Sequence, residues 1–91
     1  MVTLSAELTF YIPHANSLKD KRTVARGLIE KTRQKYNAAI AETTTQDAHQ
    51  TLTVGVAVVS GEFSHAVNML DDIIRFMERI ADAELISMVK D

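Results

Sequence analysis

The 91-residue chain predicts a single α+β domain over residues 1–91, ordered strand, helix, strand, strand, helix, strand. Three observations carry that prediction. Apolar residues alternate strictly from Val2 to Ile12, and β-branched residues alternate again from Leu52 to Val58. Between Phe63 and Ile80, apolar residues recur instead at three- and four-residue steps, the period of a helix.

In the first segment, Val2, Leu4, Ala6, Leu8, Phe10 and Ile12 share one face, and Thr3, Ser5, Glu7, Thr9 and Tyr11 share the other. Pro13 ends this strand because it has no backbone N–H to donate. Ser17 then stands before Leu18, Lys19 and Asp20, a capping-box variant that predicts a helix from about Leu18 to Lys35 or Tyr36. Leu18, Ala25, Ile29 and Tyr36, flanked by Leu28 and Thr32, supply its apolar stripe. Asn37 is a residue that can close the helix in a left-handed conformation.

Ala38 to Glu42 reads as a short strand of weak propensity, and the polar run from Thr43 to Gln50 as a long hairpin connection. Leu52, Val54, Val56 and Val58 then form a strand weakened locally by Gly55. After Ser60 and Gly61, the residues Phe63, Ala66, Val67, Leu70, Ile73, Ile74, Met77 and Ile80 define a strongly amphipathic helix with Asp71, Asp72 and Glu78 outside. Ala83 to Val89 closes the chain as a strand with Leu85 and Val89 on one side and Ile86 and Met88 on the other.

Right-handed crossovers turn this order into a ferredoxin-like βαββαβ sandwich, a four-stranded antiparallel sheet with two helices on one face. The first and third strands are central and the second and fourth are edges. The uncovered face carries Ser5, Glu7, Thr9 and Tyr11 beside Thr51, Thr53, Gly55, Ala57 and Val59. It is small and mildly polar, which makes packing against a second copy, across the sheet or along an edge, a reasonable expectation.

Composition narrows the chemistry. Apolar residues make up 46% and charged residues 24%, the balance of a globular chain. The absence of cysteine excludes a disulfide scaffold, a thiol nucleophile and a thiolate metal site. No apolar run reaches the roughly 20 residues of a membrane span. The first strand alternates too strictly for a signal-peptide core, so a cytoplasmic, membrane-free protein is expected. His14, His49 and His65 fall on separate elements, and Asp47 with His49 is only a weak local pair, so neither a metal nor a cofactor is expected. No glycine lies in the turn from Pro13 to Ser17 to cradle phosphate, and nothing local draws Ser17, His14 and Asp47 into a nucleophilic triad. The expectation is a protein that is not an enzyme.

The net charge of −2 conceals a separation. Residues 13–36 hold seven cations and two carboxylates, net +5, and the remainder holds three cations and ten carboxylates, net −7. At about 100° per residue, Lys19, Arg22, Arg26 and Arg33 fall within about 60° of one another as a ridge beside the core stripe. Such a ridge, with Lys21 and the free N–H groups at Ser17, suits a polyanion. The same residues also suit a solvated face in which Arg26 pairs with Glu30 four residues on. Base stacking on the sheet is not expected, since Tyr11 is the sole aromatic that the two central strands place on the open face.

The stretch from Ile12 to Arg22 resembles the Ser-Leu-Lys-Glu-Lys-Arg helix start of the small bacterial YlxP-like proteins, a family of unknown function. Residues Tyr36 to Glu42, Gln46-Asp47 with Val54 to Ser60, and Ala83 to Leu85 continue the resemblance in the same order. Asp20 replaces the usual Glu, and the second strand is richer in alanine, departures that touch capping and packing. The resemblance implies the ferredoxin-like fold and no known catalytic residues. Family genes often lie beside those of translation and ribosome maturation, which implies a ribosomal setting. The combined expectation is a non-enzymatic accessory module that contacts RNA or a ribosomal surface through Ser17, Lys19, Lys21, Arg22, Arg26 and Arg33. The alternative is a homo-oligomeric interaction module without nucleic-acid binding.

Overall fold

A computed structural model describes residues Met1–Asp91. The elements are β1 (Val2–Tyr11), α1 (Leu18–Lys35), β2 (Ala39–Thr44), β3 (Thr51–Ser60), α2 (Phe63–Ile80) and β4 (Glu84–Lys90). They form the ferredoxin-like sandwich, with sheet order β2-β3-β1-β4 and every neighbouring pair antiparallel.

The β1–β3 ladder runs unbroken from Val2 opposite Ser60 to Tyr11 opposite Thr51. Its register sets Ala6, Leu8 and Phe10 beside Val56, Val54 and Leu52 on one face, all buried under the helices. α2 contributes Ala66, Leu70, Ile73, Ile74 and Met77 to that core, and Ile40 enters from β2. Fully burying an aliphatic side chain of this size is worth about 1.5–3 kcal/mol, so these two strands and α2 supply most of the apolar driving force.

Three local expectations are corrected. The chain leaves α1 through Tyr36 in extended backbone at φ −125°, with its N–H donating to Thr32 O, so Asn37 is not a left-handed cap. The one residue at positive φ is Thr45, at 62°, beyond β2. β2 extends to Thr44 instead of ending at Glu42, because its partner shifts from Val54 to Thr53 across a bulge at Thr43. The hairpin connection is shortened accordingly.

β4 departs most clearly from simple alternation. Thr9 pairs with Ser87 and Phe10 with Leu85, leaving Ile86 as an inserted residue. Past that bulge the phase reverses, so Leu85 and Met88 both lie opposite helix-side residues, Phe10 and Leu8. Val89 lies opposite Glu7 on the open face. Both edges of the sheet thus carry a bulge, a feature that disfavours ladder extension by another strand.

On the open face, Gly55 lies between Ala41 of β2 and Glu7 of β1. Thr43 crosses above it and donates its hydroxyl to Glu7 Oε2 at 2.6 Å. A Cβ at residue 55 would come within 2.6 Å of Thr43 Cγ2, so the glycine is what permits the crossing. Farther along, the Thr9 and Thr53 hydroxyls hydrogen-bond at 3.2 Å.

Candidate functional site

The N-terminus of α1 is built as the capping residues dictate. Ser17 is extended, at φ −157° and ψ 166°, and its Oγ accepts from Asp20 N at 3.1 Å. Asp20 Oδ2 reaches back to accept from Asn16 N at 2.9 Å. This reciprocal cap orients the helix but occupies Ser17's acceptor role locally and sets a carboxylate beside the first turn. Ser17 is therefore a helix cap, and an anion approaching the free N–H groups would meet Asp20.

Lys21 requires a larger correction, because its side chain is 1% exposed and lies outside the exposed ridge. The buried stripe of α1 is Lys21, Ala25, Leu28 and Thr32, spaced by four, three and four residues and rotated from the expected stripe toward Lys21. The ammonium donates to Thr45 O and to Ala48 O, the latter at 2.7 Å, and meets Glu42 Oε2 at 2.8 Å. The two carbonyls take hydrogen bonds, whereas Glu42 Oε2 is met as an ion pair outside hydrogen-bond geometry and has no hydrogen-bond partner of its own. Lys21 thus fastens α1 to the end of β2 and to the left-handed turn after it. Thr32, also buried, satisfies its hydroxyl on Leu28 O at 2.7 Å.

Lys19, Arg22 and Arg26 are exposed, and none has a carboxylate within ion-pair distance. The Arg26–Glu30 pair of the solvated-face reading is not formed. Arg33 is exposed on the same flank, and its guanidinium donates to Ile40 O on β2. This hydrogen bond anchors the ridge to the sheet edge while leaving the positive charge without a counter-ion. The surface that emerges is three free cations and one anchored cation along the β2 side of α1.

The remaining candidates do not converge. His14 Nε2 lies 3.3 Å from Asp82 Oδ2 at the surface, whereas His49 and His65 are exposed elsewhere. No three His, Asp or Glu side chains come together as a metal set. No concavity is lined by His14, Asn16 or Asp47. The largest hollow, about 590 Å³, is bordered by Ala39, Ala41, Gly55 and Ala57, with Glu7 and Arg33 at its margin. Asp71 of α2 holds its proton less readily than an ordinary carboxyl group, chiefly because Lys90 Nζ donates to it at 2.8 Å. No helix is long and apolar enough to cross a membrane.

The internal role of Lys21 was legible in one respect: it precedes Ala25, Leu28 and Thr32 by four, seven and eleven residues, all on one helical stripe. Its acceptors lie about 25 residues away across a turn, and no local pattern specifies them.

Residues 3–90 match a family described as "Protein of unknown function (DUF503)". The chain is 30% identical over 79 residues to the uncharacterized protein YlxP of Bacillus subtilis (strain 168), spanning 87% of this chain and 86% of that one. Among solved structures, it is similar to a de novo designed protein with ferredoxin fold, at a TM-score of 0.57 and 18% identity, over 100% of this chain and 84% of the other. That likeness concerns the fold alone.

Proposed function

The chain belongs to the DUF503 family, and from that premise we propose that it is a non-enzymatic, cytoplasmic module that binds RNA on ribosomal particles or their precursors. Contact is made through Lys19, Arg22 and Arg26, with Arg33 anchored beside them. The observation that carries this reading is the absence of any carboxylate partner for these cations in a chain richer in acids than in bases. By contrast, Lys21, Arg75 and Lys90 each meet an acid, whereas no member of the ridge does. Long cations on a rigid helix can replace the counter-ions condensed on a phosphate backbone, an exchange that makes affinity depend on salt. The ribosomal setting implied by the family resemblance identifies RNA as the polyanion to test.

Three to four phosphate contacts on a single strand correspond to a log–log salt slope of about −2 to −3. Binding of purified ribosomal RNA, measured by fluorescence anisotropy across a salt series, is expected to show it. Reversing charge in Arg22→Glu/Arg26→Glu should lower affinity at least about tenfold at low salt and flatten that slope. Unchanged affinity after the double reversal would discard the proposal.

A second reading draws on the open sheet face, where Val59 is 58% and Val89 56% exposed and Tyr11 is also uncovered. Apposing this face on a second copy would bury those side chains without engaging the bulged edges. A strict monomer by light scattering at high micromolar concentration would remove this reading. A stable oligomer without RNA affinity would put it first.

A further inference from the structure

Phe76 projects from α2 toward the end of α1 and meets the edge of Tyr36, with ring centroids 5.5 Å apart and planes inclined at 72°. Two cations are held against it: Lys35 Nζ lies 4.8 Å from the Phe76 centroid, and Arg79 Cζ lies 5.6 Å from it. Lys35 is also 5.8 Å from the Tyr36 centroid. Neither cation has a carboxylate within ion-pair distance. An aromatic quadrupole positions a cation without cancelling its charge. Together with Arg75, these residues border a concavity of about 400 Å³ in which Asp72, paired with Arg75, is the single acid.

We propose that this concavity, formed by Lys35, Tyr36, Arg75, Phe76 and Arg79 between α1 and α2, is a phosphate-binding site. Three cations face one carboxylate there, and two rest against an aromatic ring before any ligand arrives, which lowers the ordering cost of binding. Lys35 also complements the negative end of the α1 dipole. That role needs neither Arg79 nor the shared ring, so it does not account for the cluster.

The natural occupant, which rests on the RNA reading above, is a phosphodiester of the same strand. The site lies at the C-terminal end of α1, on the side away from the Lys19–Arg22–Arg26 ridge. Lys35 stands about 14 Å of helix rise beyond Arg26, and a helix with its side chains is about 10–12 Å wide. A flexible strand laid obliquely over α1 joins the two cationic zones. Both lie on the helix layer and leave the sheet free.

The test is an amide NMR titration with sodium pyrophosphate, then with a short single-stranded oligoribonucleotide, on the wild type and on Lys35→Gln/Arg79→Gln. Pyrophosphate should shift the amides of Lys35, Tyr36, Phe76 and Arg79 in the wild type, and the variant should bind it at least fivefold more weakly while keeping its other resonances. The oligoribonucleotide salt slope should become shallower by about 1 to 1.5 in the variant. No pyrophosphate response at these residues, or an equal response in both proteins, overturns the site even if RNA still binds the ridge. A pyrophosphate response without RNA affinity upholds the site and sinks the ridge reading instead. Displacement of pyrophosphate by polyglutamate but not by RNA would assign the site to an acidic protein and overturn the nucleic-acid occupant.

Discussion

The two helices lie on the same sheet and are each 18 residues long, yet they are held by different means. α2 buries Ala66, Leu70, Ile73, Ile74 and Met77, a stripe without polar atoms other than the methionine sulfur. α1 buries Lys21, Ala25, Leu28 and Thr32, two of which carry polar groups satisfied by hydrogen bonds. α2 is therefore held mainly by area removed from water, whereas α1 depends on a small polar lock at its N-terminal end. The contrast also explains why cationic residues accumulate on α1. Its narrow buried stripe leaves a broad outer surface, which Lys19, Arg22, Arg26, Lys31 and Arg33 occupy.

The largest effect expected from breaking that contrast is at Lys21. Replacement by Ala deletes the ammonium and its packed stem, leaves Glu42 Oε2 without its partner, and frees two loop carbonyls, at a cost of about 3–5 kcal/mol. A domain of this size should lose more than about 10 °C in thermal midpoint for that change. Lys21→Met/Glu42→Leu should recover part of the loss, because it removes both charges and keeps the volume but still leaves Thr45 O and Ala48 O without that donor. If Lys21→Ala melted like the wild type in differential scanning calorimetry, the lock would carry no weight.

A smaller effect is expected on α2. Ile73→Val removes one methylene from an apolar contact and should cost about 0.5–1.5 kcal/mol by urea denaturation. Because no polar group loses a partner there, a second substitution should not rescue it. A loss as large as that of Lys21→Ala would erase the distinction between the helices.

The smallest effect is a pH dependence at the α2–β4 contact. Asp71 titrates below its ordinary range because Lys90 stabilises the carboxylate. The stability it contributes is therefore present above the unfolded-state pKa and is lost as pH falls through the lower folded-state value. Asp71→Asn should lower neutral-pH stability slightly, leave stability at low pH unchanged, and so flatten the acid limb of the stability profile. A steeper acid limb in the variant would contradict the assignment.

Most of the architecture could be read locally, because alternation in β1 and β3 and helical spacing in α2 each repeat over many residues. Ser17 was equally readable, since its cap forms with Asp20 three positions away. The faces of β4 were not, because a bulge depends on how Thr9 and Phe10 meet Ser87 and Leu85. Within the candidate surface, Lys19, Arg22 and Arg26 lie where helical periodicity puts them. Lys21 and Arg33 differ because each finds a backbone acceptor on or beyond β2. The cations around Phe76 escaped a reading along single elements, since Lys35 belongs to α1 and Arg79 to α2.

By itself the sequence determined the order of elements, the central strands, the apolar faces of β1, β3 and α2, and the excess of positive charge on the first helix. These follow from periodicity and composition, which act over neighbouring residues. Only the tertiary structure decided which cations are spent inside the fold, which are held by an aromatic ring, and which remain unpaired. A charged side chain's state depends on the acceptors and rings that folding brings to it, and those come from distant parts of the chain.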